Sequence, residues 1–156
     1  MGGDTAGHDR PAGAPFRVSA AYEGSTPDIA RARELARSFL GQVWSAHGLP
    51  VSERASGTVQ LVVSELVTNA FKYAPGPCLL DIELLEASVR ITVWDSALDL
   101  PVIMAPEPGR AGQHGLEIVT ALSESFAVYP EPVGKRTVAT VPLTGGPGEA
   151  AAGRRP

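Results

Sequence analysis

The stretch that decides the fold is SELVTNAFKYA, residues 64–74, in the second half of a long amphipathic segment. From about Ser52 to Ala74 the apolar residues recur at helical spacing and predict one helix with a continuous apolar face. Three polar residues, Glu65, Asn69 and Lys72, fall within about 60° of one another on the other side of that helix. The pattern predicts a helix that covers a core with one face and carries a polar stripe on the other.

The polar stripe has two interpretations. It is either a solvated helix face or part of a ligand site. Asn is mildly unfavourable inside a helix, because its side chain competes for backbone hydrogen bonds. A carboxylate and an amide oxygen one turn apart could share a hard cation, and Mg²⁺ prefers oxygen ligands and keeps several waters.

The remaining elements predict an α+β domain. An alternating strand is expected over residues 16–22, followed by a helix with Thr26 as its cap and Pro27 in its first turn. After the central helix we expect strands at about 78–85 and 89–94, a long loop over 96–111, a third helix from near Gly115, and strands at about 125–129 and 136–143. Hairpins with segregated helices predict a two-layer sandwich, in which a largely antiparallel mixed sheet carries three helices on one face.

The two ends of the chain differ in composition from its middle. Residues 1–15 and 144–156 together hold eight of the seventeen glycines and four of the fourteen prolines. Such segments bury too little apolar surface to offset their ordering entropy. We therefore expect flexible tails at both ends and one domain over residues 16–143.

Composition narrows the classes of function. The formal net charge of −4 comes with no visible basic face, which argues against direct binding of nucleic acid. The apolar runs are short and interrupted by charge, and the N-terminus lacks the apolar region of a secretory signal, so neither a membrane span nor secretion is expected. A lone cysteine, Cys78, lies in an apolar run and is expected to be a buried thiol in a reducing cytoplasm.

Three further segments could carry chemistry, and each has a plain alternative. Asp95 follows the strand VRITVW and is either a turn cap or an acceptor for a purine amino group. The run Gly112–Gly115, GQHG, opens the third helix and is either a phosphate-binding turn or an ordinary loop-to-helix turn. The run Gly134–Thr137, GKRT, could be a hairpin turn.

Taken in order, the four segments resemble the motifs of the histidine-kinase-like (GHKL) ATPase superfamily. Residues 64–74 resemble its N-box, and VWDS at 93–96 resembles its adenine-binding box. GQHGLEIV at 112–119 is similar to its second glycine box, and GKRTV at 134–138 to its terminal strand motif. The resemblance covers roughly residues 25–143. Within the superfamily the chain looks most like the short, stand-alone anti-sigma-factor serine/threonine kinases and their actinobacterial ATP-binding relatives.

The resemblance implies ATP and Mg²⁺ as cofactors and a role for each matching residue. Glu65 would polarise a water or act as the catalytic base, Asn69 would coordinate Mg²⁺, and Asp95 would accept a hydrogen bond from the adenine amino group. The residues implied around the rest of the nucleotide are Gly112 and Gly115 at the phosphates and Thr137 at the adenine end, with residues 96–111 as a lid. Leu116 is implied as a further nucleotide-binding residue. Lys72 and His114 each face either a phosphate or solvent.

The implied partners are proteins: a sigma factor, an anti-sigma antagonist, or both, and the resemblance also allows a homodimer. The sequence departs from the family pattern in the adenine box, where D-x-G-x-G is replaced by Asp95-Ser96-Ala97-Leu98-Asp99. Three functions therefore stay open. They are a serine/threonine kinase, a non-catalytic module whose partner surface is gated by nucleotide, and a scaffold that has lost nucleotide binding.

Overall fold

A computed structural model describes residues 16–74, 76–96 and 114–144. The elements in chain order are β1 (Arg17–Tyr22), α1 (Thr26–His47), α2 (Glu53–Tyr73), β2 (Cys78–Leu85), β3 (Ser88–Asp95), α3 (His114–Leu122), β4 (Ser125–Pro130) and β5 (Lys135–Pro142). The predicted N-terminal tail, nearly all of the predicted C-terminal tail, and the predicted lid beyond Ser96 lie outside the described residues.

Helix α1 begins one residue earlier than its sequence suggested. Ser25, not Thr26, is the N-cap, and Thr26 is the first helical residue. The reason is Asp28 in the first turn, whose carboxylate accepts hydrogen bonds from the backbone N–H groups of Glu23, Gly24 and Ser25 at 3.0–3.3 Å. The prediction that Thr26 caps the helix was therefore wrong, because a carboxylate inside the helix ties down the preceding turn.

Helix α2 forms the centre of the helical layer. The Ser52 hydroxyl accepts a hydrogen bond from the N–H of Ala55 at 3.0 Å and so caps the helix start. The predicted apolar face is confirmed, since all six of its members are buried: Val59, Val62, Val63, Leu66, Val67 and Ala70. The helix contacts α1, α3 and three of the strands, so its apolar face organises most of the core.

Within the described residues five strands form one sheet in the order β1-β2-β3-β5-β4, and every pairing among them is antiparallel. Alternate residues of the central strands are buried under the helices; they are Leu80 and Ile82 of β2, Ile91 and Val93 of β3, and Ala139 and Val141 of β5. The three helices and the sheet of the described residues confirm the predicted α+β sandwich, although the sheet is antiparallel at every pairing rather than mixed. None of the helices within the described ranges is both long and apolar enough to cross a membrane.

One end of the sheet collects the segments that the sequence singled out. Asp95 ends β3, Lys135 begins β5, and Cys78 begins β2 directly after the C-terminal end of α2. At the other end, the N–H of Glu124 donates to the carbonyl oxygen of Thr140 at 2.7 Å. Only two residues separate α3 from β4, so α3 ends at this other end of the sheet.

Candidate functional site

The centre of this end is a buried ion pair between Asp95 and Lys135. The two residues are register partners on β3 and β5, so their side chains lie on the same face of the sheet. The Lys135 Nζ donates to Oδ2 of Asp95 at 2.7 Å, and the two side chains are 1% and 2% exposed. Charged groups are seldom buried so completely unless they are paired.

Two more ionisable side chains continue this row across the sheet. Tyr22 pairs with Cys78 between β1 and β2, and both residues are buried. Burial, followed by the nearby carboxylates of Asp95 and Asp28, raises the pKa of the Cys78 thiol to about 11. Burial also raises the pKa of Tyr22, with Asp28 and Cys78 adding to the effect. Cys78 is thus a neutral buried thiol, as its sequence context predicted.

At the Lys135 end of this row of side chains, the backbone of Gly134 packs closely against the backbone of Asp95. Gly134 has φ +83°, and a Cβ atom placed on it would stand 1.8 Å from the carbonyl oxygen of Asp95. Only glycine fits there, because any side chain would overlap backbone atoms. The turn between β4 and β5 is therefore packed directly on the end of β3.

The polar stripe of α2 is not a plain solvated face. Glu65 and Asn69 are each partly buried, whereas Lys72 is exposed. The Lys72 Nζ lies 5.5 Å from the centre of the Tyr73 ring, a cation–π contact at the end of the helix. Glu65 and Asn69 thus present a carboxylate and an amide oxygen, one helical turn apart, in a half-sheltered position.

The remaining predicted residues fall in three groups. Gly112 lies outside the described residues, and His114 and Gly115 form the first turn of α3. Leu116 and Thr137 are both buried, at 7% and 3% exposure. Thr137 lies two residues beyond Lys135 on the same face of β5, opposite Val93. The structure therefore brings Asp95 and Thr137 together.

The oxygen atoms of Glu65 and Asn69 suit a magnesium ion whose remaining ligands come from phosphates and water. Within the described ranges no three His, Cys, Asp or Glu side chains come together as a metal site. Asn69 and Glu65 instead offer two hard oxygen donors, and Mg²⁺ in nucleotide sites typically takes one or two protein ligands together with substrate phosphates and waters.

The sequence matches the model of a known family, the histidine kinase-like ATPase domain, over residues 26–141. This range covers most of the chain and runs from the start of α1 to the end of β5. The chain belongs to the histidine kinase-like ATPase family. No curated protein matches it.

A solved structure supports this domain's fold. The structure of the RsbU and RsbW domains of Rv1364c from Mycobacterium tuberculosis matches with a TM-score of 0.59 at 16% identity, over 82% of this chain and 32% of that one. This ATPase domain thus spans about a third of the length of that chain. The histidine kinase domain of the blue-light activated histidine kinase from Erythrobacter litoralis EL346 matches with a TM-score of 0.45 at 18% identity, over 74% of this chain and 70% of that one.

One residue of this ATPase domain's site escaped the sequence analysis. Lys135 was assigned to a possible turn, but it is the first residue of β5 and is fully buried. The signal was present in the alternation of buried residues, since Lys135, Thr137, Ala139 and Val141 share one face of the strand. Counting back from Thr137 would have placed Lys135 on the buried face of β5, although not beside any particular residue of another strand.

Proposed function

We propose that this chain binds Mg-ATP and transfers its γ-phosphoryl group to a serine or threonine of a partner protein. The observation that carries the proposal is the half-buried pair Glu65 and Asn69 on α2, in a domain of the histidine kinase-like ATPase family. A stripe that served only for solubility would be expected to be exposed along its length, as Lys72 is.

Each residue of the pair has a separate task in the proposed reaction. Asn69 holds the magnesium ion through its amide oxygen, and the ion, when bound, neutralises phosphate charge. Glu65 accepts the proton of the attacking hydroxyl. The hydroxyl oxygen bonds to the γ-phosphorus, the bond from that phosphorus to the bridging oxygen breaks, and ADP leaves.

Four other positions would bind the nucleotide without taking part in the transfer. Asp95 accepts a hydrogen bond from the adenine amino group, and Thr137 supports the same end of the base. The first turn of α3, with His114, Gly115 and Leu116, offers backbone N–H groups to the phosphates, since the start of a helix favours anions. Lys72, which is exposed at the end of α2, adds positive charge near them.

The partner is proposed from the resemblance to anti-sigma-factor kinases. An anti-sigma antagonist would be the phosphorylated protein, and a sigma factor would be the protein released or held as a result. The likeness to the structure that contains an RsbW domain is consistent with this class but supports the fold alone. A homodimer is also compatible with the proposal, as is a cytoplasmic location.

Phosphoryl transfer tests the proposal directly. Wild type and Glu65→Gln are incubated with labelled ATP, Mg²⁺ and candidate anti-sigma antagonists, and label on the partner is measured. Glu65→Gln should bind Mg-ATP within about threefold of wild type but lose at least about 100-fold in transfer rate, because the amide cannot take up the proton. Glu53→Gln, an exposed change in the first turn of the same helix, is the matched control and should transfer normally.

A second candidate function is favoured by the adenine box. Ala97 replaces the glycine that lets backbone pass close to the base, which suits a domain in which nucleotide orders a partner surface without transfer. In that case wild type binds ATP and captures a partner only when ATP is present, yet labels none of the candidates. Label transfer that survives Glu65→Gln would instead show that the base is misassigned.

A further inference from the structure

We propose that Lys135 is a positioning residue for base recognition, which acts by pairing with the Asp95 carboxylate and holding it in one orientation. The inference rests on the proposed binding of ATP. It adds Lys135 to the residues that recognise the nucleotide, since the family resemblance implied no role for this lysine. The central observation is the 2.7 Å contact between Nζ of Lys135 and Oδ2 of Asp95, made by two side chains that are almost fully buried.

The surroundings of Asp95 make such a partner necessary. On β2 the neighbouring side chain is Cys78, a thiol whose pKa of about 11 leaves it neutral and unable to balance a negative charge. Asp28, at the start of α1, is near enough to influence the same thiol and adds a second negative charge. A carboxylate buried among these groups needs a close cation to balance its charge, and Lys135 supplies one.

The contact also leaves Asp95 able to read a base. A carboxylate has about four acceptor positions on its two oxygens, and the bond to Lys135 uses one of them. The position of the lysine is itself fixed by strand register and by Gly134, whose backbone packs against the carbonyl of Asp95. The pair is therefore a rigid unit, with the acceptor held in place by the cation behind it.

The test uses the exocyclic amino group of adenine as its probe. Affinities for ATP and for purine riboside triphosphate, which lacks that group, are measured by calorimetry with Mg²⁺ on the full chain. Wild type should prefer ATP by about 10-fold or more, since a hydrogen bond to a charged acceptor is at stake. Lys135→Met should reduce this preference to below about threefold while leaving the affinity for inorganic triphosphate within about twofold. Lys135→Arg, which keeps the charge, should recover most of the preference.

Arg136→Met is the matched control. Arg136 is the next residue on β5 and points to the opposite face, where its Nε bonds to Glu131 at 2.9 Å and its guanidinium lies 4.3 Å from the centre of the Tyr129 ring. Loss of this cation should leave the preference for ATP unchanged. If Lys135→Met or Arg136→Met merely destabilised β5, the variant's affinities for ATP and for inorganic triphosphate would fall together. The ratio of these two affinities therefore distinguishes a loss of positioning from a loss of stability.

The remaining outcomes also decide the matter. The inference is overturned if Lys135→Met keeps the full preference for ATP. It is also overturned if this variant binds ATP more tightly than wild type, because the lysine would then compete with adenine for Asp95. If wild type binds neither nucleotide, the proposed function itself has failed. Should Lys135→Met not fold, Asp95→Asn is compared with Asp95→Asn/Lys135→Met, which buries no lone carboxylate. The two should bind ATP equally within about twofold, and a further loss in the double variant would contradict an action through Asp95.

Discussion

Gly134 and Asp95 lie so close that a single methyl group cannot be placed between them. The Cβ position of Gly134 is 1.8 Å from the carbonyl oxygen of Asp95 and 2.7 Å from the Cα atom of Ser96. These obstructing atoms are all backbone, so no side-chain rotation can relieve the overlap. The turn before β5 and the end of β3 must move together or not at all.

The close approach predicts a large cost for Gly134→Ala. The change should lower the free energy of unfolding by on the order of 2–4 kcal/mol, because strain at positive φ adds to the steric overlap. Gly48→Ala is the control, since Gly48 also has positive φ (+67°) but has open space around its Cβ position. It should lose about 1 kcal/mol. Urea unfolding at neutral pH measures the free energy of unfolding of both variants. Equal losses of stability would mean that Gly134 and Asp95 can separate at little cost.

Asn69 should link nucleotide binding to magnesium. In wild type we expect ATP or ADP to raise the melting temperature only when Mg²⁺ is present, because the amide oxygen acts through the metal. Asn69→Ala should lose this gain. Gln60→Ala, a partly buried amide two turns earlier that donates to Ser56, should keep it. An equal thermal shift in wild type and Asn69→Ala would identify Asn69 as an ordinary surface residue.

The free energy of unfolding should depend on pH through Asp28. Burial works to raise its pKa, but hydrogen bonds from Arg31, Ser25 and the preceding backbone outweigh burial and lower the pKa below the ordinary 3.8. The stabilisation is therefore fully present above about pH 4, the range of an unperturbed carboxyl, and is lost as the pH falls through the lower folded value.

Unfolding midpoints at several pH values check this expectation. Asp28→Asn should be less stable than wild type at pH 7, and the difference should shrink as the pH is lowered below about 4. Glu34→Gln is the matched control, because Glu34 pairs with Arg37 on the same helix but both side chains are more than 60% exposed. Its stability should follow that of wild type at every pH. A constant difference for Asp28→Asn would mean that the carboxylate charge plays no part.

Cys78 should resist thiol reagents while the protein is folded. Burial and two nearby carboxylates raise the pKa of the thiol to about 11, so at pH 8 almost none of it is thiolate. A disulfide reagent such as dithionitrobenzoate should react at least about 100-fold more slowly with native than with urea-unfolded protein. Rapid reaction of the native protein would show that this end of the sheet opens readily.

The local elements could be predicted from the sequence because their signals are periodic. The α2 face from Val59 to Ala70 repeats at helical spacing, and β2 was predicted with the bounds Cys78–Leu85 that the structure shows. The pairing of Asp95 with Lys135 could not be found in the same way. It joins residues 40 positions apart and depends on β5, rather than β4, lying beside β3.

The prediction of the N-cap of α1 was wrong for a related reason. Ser25 and Thr26 have similar capping chemistry, and only the bonds from three backbone N–H groups to Asp28 decide between them. The roles of Glu65, Asn69 and Asp95 toward a nucleotide stay predictions. The structure gives their burial and neighbours, which the sequence did not.

The strand order has a consequence for folding kinetics. Because β5 is inserted between β3 and β4, the central pairing of the sheet joins the chain before residue 96 to the chain after residue 114. Until β5 docks, β3 presents a bare hydrogen-bonding edge along Ile91–Trp94, a hazard for intermolecular strand addition. Asp95 ends that edge with a charge, which disfavours such addition. A ligand that touches both halves would slow their separation, and would thus lengthen the lifetime of the native state as well as increase its population.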